Sequence, residues 1–179
     1  MIGFIYLLAA YSLAFYGNII ISDITIISGA AQPVIFRQAI VGFVEEILSR
    51  GVILYVPLRV WGNSKRGLFL AVLVSALLFG SMHLLQAFAG RSVGMALIAS
   101  LESTISGIWW GAFVILWGTI WPAAVIHAGS NAIVLINGTS YPGLVFSYPE
   151  YSLLQLPLVI LGLYWLLKTA PRQVIPEIP

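Results

Sequence analysis

Gly42-Phe43-Val44-Glu45-Glu46-Ile47-Leu48-Ser49-Arg50-Gly51 places two carboxylates side by side in the middle of an otherwise apolar stretch. Only six acidic residues occur in the 179-residue chain, so this doublet holds a third of them. An ionisable group at membrane depth is expensive and is kept for function or for a paired structural role. The stretch therefore reads as a membrane helix that carries chemistry.

Composition supports that reading. Sixty per cent of the residues are hydrophobic and 8% are charged, and the mean hydropathy is +1.02. These values lie outside the range of soluble domains. The length has room for about five to seven helices of roughly 20 residues. The expected fold is all-α: a polytopic membrane helix bundle of about six transmembrane helices enclosing an intramembrane polar site. Residues 1–179 read as a single domain with a motif core over about 33–138.

The chain has no cysteine, which excludes disulfides, thiolate nucleophiles and cysteine-ligated metals. A net charge of +2, carried by few residues in loops, speaks to orientation in the bilayer and not to nucleic-acid binding. The apolar N-terminus from Ile2 to Ile21 has no Lys or Arg before Arg37, so it lacks the charged first region of a secretory signal and reads as a retained span.

Six spans fit the hydropathy: 2–22, 34–56, 67–89, 93–117, 120–138 and 150–168. Pro33 and Pro57 bracket the second, as suits a residue that favours helix starts and stops helix interiors. Gly118-Thr119-Ile120 reads as a tight helical hairpin, and 137–149 as a polar loop containing Gly and Pro. Arg59, Lys65 and Arg66 lie in the loop after the second span, and Lys168 and Arg172 lie in the tail. The positive-inside rule then puts both termini and that loop in the cytoplasm. Ser100, Glu102, Ser103, Thr104 and Ser106 cluster in the fourth span and must face protein or trapped water.

Both histidines fall within predicted spans, each with a partner four residues away on the same helical face: Phe79 for His83, Asn131 for His127. Glu45 and His83 make a general-base pair suited to activating water. His127 and Asn131 offer donors for a developing oxyanion. Glu46 and Arg50, at i and i+4, suit an ion pair along their own helix and take a supporting role. Two other readings stand beside this one: interhelical hydrogen bonding for either histidine, and a proton or cation pathway through the acidic pair. At about 1.5 Å per residue, straight upright helices would leave Glu45, His83 and His127 at different depths, so tilted or irregular passes are expected.

Glu45-Glu46-x-x-x-Arg50, Phe79-x-x-x-His83 and His127-x-x-x-Asn131, in this order on successive apolar segments, resemble the CPBP family of intramembrane proteases. That family groups CAAX prenyl endopeptidases with bacteriocin-processing and immunity (Abi) proteins. Gly51, Ser75, Gly80 and Trp121-Pro122 agree with it as well. The resemblance implies a membrane endopeptidase of glutamic type in which Glu45 and His83 activate water, His127 and Asn131 stabilise the oxyanion, and Glu46, Arg50 and Phe79 support them. It implies no cofactor; a zinc set of Glu45, His83 and His127 is the alternative, although no His-Glu-x-x-His is present.

The expected protein is thus an integral, multi-pass hydrolase of a prokaryotic cell membrane. It would cleave a membrane protein or lipidated peptide: a CAAX tail, a bacteriocin leader or another C-terminal tail. A non-catalytic bacteriocin-immunity or membrane interaction protein of the same fold is the rival. A proton-coupled transporter is disfavoured because no repeated half or matching pair of broken helices is seen.

Overall fold

An apolar run that reaches Pro57 loses a helical hydrogen bond there, because proline has no N–H to give the carbonyl four residues back. The computed structural model describes residues 32–140 and 148–168 and shows how the chain meets this constraint. α1 (Gln32–Glu46) has Pro33 in its first turn, where no intrahelical donor is needed. A π-helical segment, Ile47–Ile53, follows. It is closed by the Leu54 N–H donating to the Ser49 carbonyl, five residues back, at 2.8 Å. α2 (Tyr55–Trp61) then carries Pro57 in its own first turn. The span expected over 34–56 is therefore three pieces, and Pro57 belongs to the start of a helix instead of ending one.

α3 (Lys65–Met82) begins at Ser64, whose hydroxyl accepts from the Gly67 N–H at 3.0 Å and so caps the helix. It tightens into a 3-10 segment, His83–Ala87. α4 (Val93–Trp117) coincides with the expected fourth span. It ends at Gly118, whose φ of 72° is a left-handed conformation that glycine adopts without a Cβ penalty. α5 (Trp121–Ser140) follows after the short Gly118–Ile120 connection. α5 also takes in Asn137–Ser140, which had been expected to be loop: the apolar helix upstream overrides their weak helix propensity. α6 (Tyr148–Lys168) contains Pro157. The expected span 2–22 lies outside the described residues.

No strand occurs among the described residues. Among the described residues, two helical stretches are long and apolar enough to cross a bilayer: Lys65–Ala87, with 23 residues, and Val93–Trp117, with 25 residues. Both meet the roughly 20-residue requirement of the hydrocarbon core.

The chain divides into two compact units. One holds α1 to Glu45 and α5 from Ala124; the other holds Glu46–Ala123 and α6. In the second unit α4 is central, packing against α3, the 3-10 segment and α6. Small residues allow the close approach. A Cβ on Gly107 would stand 2.9 Å from the Ala76 Cα, so α3 and α4 meet along their backbones. Trp109, fully buried, stacks on Trp110 with ring centroids 4.1 Å apart, and its Nε1–H donates to Gln155 Oε1 at 3.0 Å. Two hydroxyls of the α4 polar cluster bond along their own helix. Thr104 donates to the Ser100 carbonyl at 2.8 Å and Ser106 to the Ser103 carbonyl at 3.0 Å. Such bonds to the helix's own carbonyls satisfy the Thr104 and Ser106 hydroxyls within the helix.

Candidate active site

Glu45 lies at the last turn of α1, seven residues and two turns after Gln38, so both are on one face of that helix. His127 and Asn131, at i and i+4, share a face of α5. The two faces meet within the first unit. Glu45 Oε2 is 3.6 Å from His127 Nε2, with the side chains 32% and 18% exposed. This is an electrostatic contact longer than a hydrogen bond. One turn further along α5, Asn131 Nδ2–H donates to the Gln38 carbonyl at 3.5 Å. A carbonyl can only accept, so the contact fixes which end of the Asn131 amide is the nitrogen.

The second unit holds the other motif residues. Arg50 Nη1 donates to Glu46 Oε1 at 2.8 Å and to Ser49 Oγ at 2.6 Å. The ion pair expected from the i, i+4 spacing is therefore formed, and it is sealed: the side chains are 1% and 0% exposed. The Arg50 guanidinium also lies 4.6 Å from the centroid of the Phe79 ring. A cation over a ring face is attracted by the ring quadrupole, most strongly when desolvated. Phe79 meets the His83 ring edge-on, with centroids 5.1 Å apart and an interplanar angle of 76°. His83 Nδ1 stands 3.1 Å from the Phe79 carbonyl oxygen. That acceptor requires the proton on Nδ1, which leaves the lone pair of the neutral ring on Nε2. One continuous chain of contacts thus runs from Glu46 through Arg50 and Phe79 to His83.

The residues singled out from the sequence fall into two groups. Glu45, His127 and Asn131 come together in the first unit; Glu46, Arg50, Phe79 and His83 come together in the second. The acidic doublet falls on the boundary, with Glu45 the last α1 residue of one unit and Glu46 the first residue of the other. Within neither unit do three His, Asp or Glu side chains gather at metal-ligand spacing among the described residues. Three contributors were not assigned a role from the sequence. Ser49 bonds Arg50, and Ser75 Oγ donates to the Ser49 carbonyl at 3.2 Å, a group within the π segment. The third is Gln38, which acts through its backbone, and a backbone carbonyl leaves no signature in residue type.

The described residues form an all-helical fold with helices apolar and long enough to cross a membrane, the class of helical membrane proteins. Residues 28–133, more than half of the chain, match the family model described as type II CAAX prenyl endopeptidase Rce1-like, and the chain belongs to that family. It is therefore a membrane protein of the CPBP group and, at the level of the family, a CAAX-type intramembrane protease. Comparison with curated proteins found no match, and comparison with solved structures found none.

Proposed function

We propose that the chain is an intramembrane endopeptidase that hydrolyses a peptide bond near the C-terminus of a lipidated or membrane-associated substrate. The observation that carries the reading is the pairing of Glu45 with His127 at 3.6 Å, with Asn131 one turn away on the same face of α5. Acyl hydrolysis needs a base for water and donors for the oxyanion, and these side chains supply both chemistries.

In this mechanism Glu45 and His83 Nε2 take a proton from water, whose oxygen bonds to the scissile carbonyl carbon. The carbonyl oxygen becomes an oxyanion and accepts from His127 and from the Asn131 amide. Collapse breaks the C–N bond, and the abstracted proton passes to the leaving amine. Glu46 and Arg50 take a supporting role: their buried pair presents a fixed guanidinium to Phe79, which abuts His83.

The glutamic mechanism is favoured over zinc. A catalytic zinc takes three protein ligands, and the candidates Glu45, His83 and His127 come from three separate helical segments with no His-Glu-x-x-His among them. Bound zinc in the purified protein, lost together with activity on chelation, would reverse this choice. The proposed topology is multi-pass, with about six spans in a prokaryotic membrane and the Arg59–Arg66 loop and both termini in the cytoplasm. The function is tested by incubating the purified full chain with a prenylated CAAX peptide and identifying products by mass spectrometry. Release of a C-terminal fragment, lost in His83→Ala and in His127→Ala, is expected; release that persists in both variants would remove the proposed roles.

A further inference from the structure

Gln38, Gly42 and Glu45 stand at i, i+4 and i+7 and so line one face of α1. Two of them meet α5 through polar atoms: Gln38 through its carbonyl to Asn131, and Glu45 through its carboxylate to His127. Gly42, between them, is buried and has no side chain. A Cβ there would lie 2.9 Å from Asn131 Nδ2, 3.0 Å from the His127 carbonyl oxygen and 3.1 Å from the Ala128 Cα. Carbon atoms pack best at about 3.5–4.0 Å, so each of these distances is too short. Two of the three neighbours are helix backbone, which no side-chain rotation can move aside. The third is the amide nitrogen proposed as an oxyanion donor.

We infer that Gly42 is a positioning residue for the oxyanion donors: its bare backbone seats the Asn131 amide and sets the distance between Glu45 and His127. The inference rests on the proposed peptidase mechanism. With one Asn131 N–H given to the Gln38 carbonyl, the amide is held in one orientation and its second N–H is directed elsewhere, available to an oxyanion. A methyl group at position 42 displaces that amide directly. It also pushes α5 away at the very residue that carries the His127 ring. Gly107 offers the contrast, because its absent Cβ lets α4 meet the Ala76 backbone, where no group of the proposed chemistry lies. A Gly-to-Ala change there perturbs helix packing alone.

The test uses the purified full chain, a prenylated CAAX peptide as substrate, and the peptide aldehyde of the same sequence, whose hydrate mimics the tetrahedral oxyanion. Loss of a single oxyanion donor lowers kcat by about 10²–10³-fold. Gly42→Ala, which displaces one, is expected to lower kcat by about tenfold or more and to weaken aldehyde binding in parallel, with KM little changed. In the Asn131→Ala background the same change is expected to have a clearly smaller, residual effect, because the amide is gone while the His127 carbonyl oxygen and the Ala128 Cα still meet the methyl group. Gly107→Ala is expected to reduce the amount of folded protein without altering the aldehyde Kd of what folds. Asn131→Gln, one methylene longer, provides a variant that leaves the α1 backbone untouched; it is expected to lose aldehyde affinity because the longer amide cannot seat on Gly42.

An unchanged aldehyde Kd in Gly42→Ala, or its full effect persisting in the Asn131→Ala background, would overturn the inference while leaving the peptidase reading intact. If Gly42→Ala does not fold, wild-type aldehyde affinity in Asn131→Gln overturns it. A wild-type chain that neither cleaves the peptide nor binds the aldehyde removes the peptidase reading, and this inference falls with it.

Discussion

Replacing Arg50 with alanine would leave the Glu46 carboxylate in a site from which water is excluded. Glu46 is 0% exposed and Arg50 3%, and the pair is joined at 2.8 Å. Taking one partner from a buried ion pair costs about 3–5 kcal/mol, because the other charge stays desolvated and uncompensated. Arg50→Ala also removes the cation from the Phe79 face, a contact of about 2 kcal/mol when desolvated, although the two losses share one side chain and do not simply add. The expected destabilisation is therefore at least about 3 kcal/mol, in the range reserved for cavities and orphaned charges. The double variant Glu46→Leu/Arg50→Met removes both charges and keeps the volume; such replacements are neutral or stabilising by about 1–4 kcal/mol. Unfolding in mixed micelles, followed by the fluorescence of the six tryptophans, measures both variants. Arg50→Ala should unfold much more readily than the double variant. If Arg50→Ala falls within about 1 kcal/mol of wild type, or the double variant is as unstable as the single, the buried-pair reasoning is wrong.

Other consequences follow from the same physics. Trp109→Phe removes the donor to Gln155 and leaves a buried amide oxygen without it, which should cost about 1–3 kcal/mol in the same unfolding assay, with most of the loss recovered in Trp109→Phe/Gln155→Leu. Because the chain has no cysteine, single cysteines at the exposed positions Lys65 and Ser92 report topology without background; a membrane-impermeant maleimide added outside intact cells should label Ser92→Cys and spare Lys65→Cys. Reversed labelling would invert the proposed orientation. Dialysis against a chelator should leave peptide cleavage unchanged, and zinc-dependent recovery of lost activity would assign Glu45, His83 and His127 to a metal.

The sequence made some of this legible because certain signals are local. Gly118 marks the end of α4, and the i, i+4 spacing of Glu46 and Arg50 marks an ion pair; both depend only on residues one turn apart. The hydropathy over 93–117 coincided with a complete helix for the same reason. Other features depend on partners remote in sequence or on backbone geometry. The π segment at Ile47–Ile53 is invisible to a hydropathy pattern, since the extra residue per turn leaves composition unchanged. It explains why Pro57, expected to end a span, instead sits in the first turn of α2. Phe79, singled out only for its motif spacing, gains a physical role through the Arg50 guanidinium on its face and the His83 ring at its edge. Gly42 carried no signal at all until the α5 backbone was seen 3.0 Å from where its side chain would be.

The central claim is that Glu45 performs chemistry while Glu46 holds the structure. Glu45→Gln keeps the size and hydrogen-bonding capacity of the side chain but removes its basicity, so the most direct measurement is single-turnover cleavage of the prenylated CAAX peptide by this variant. The account predicts a folded protein with wild-type thermal stability and cleavage reduced by about 10²–10⁴-fold, the usual contribution of a general base. Cleavage at the wild-type rate by well-folded Glu45→Gln would contradict it.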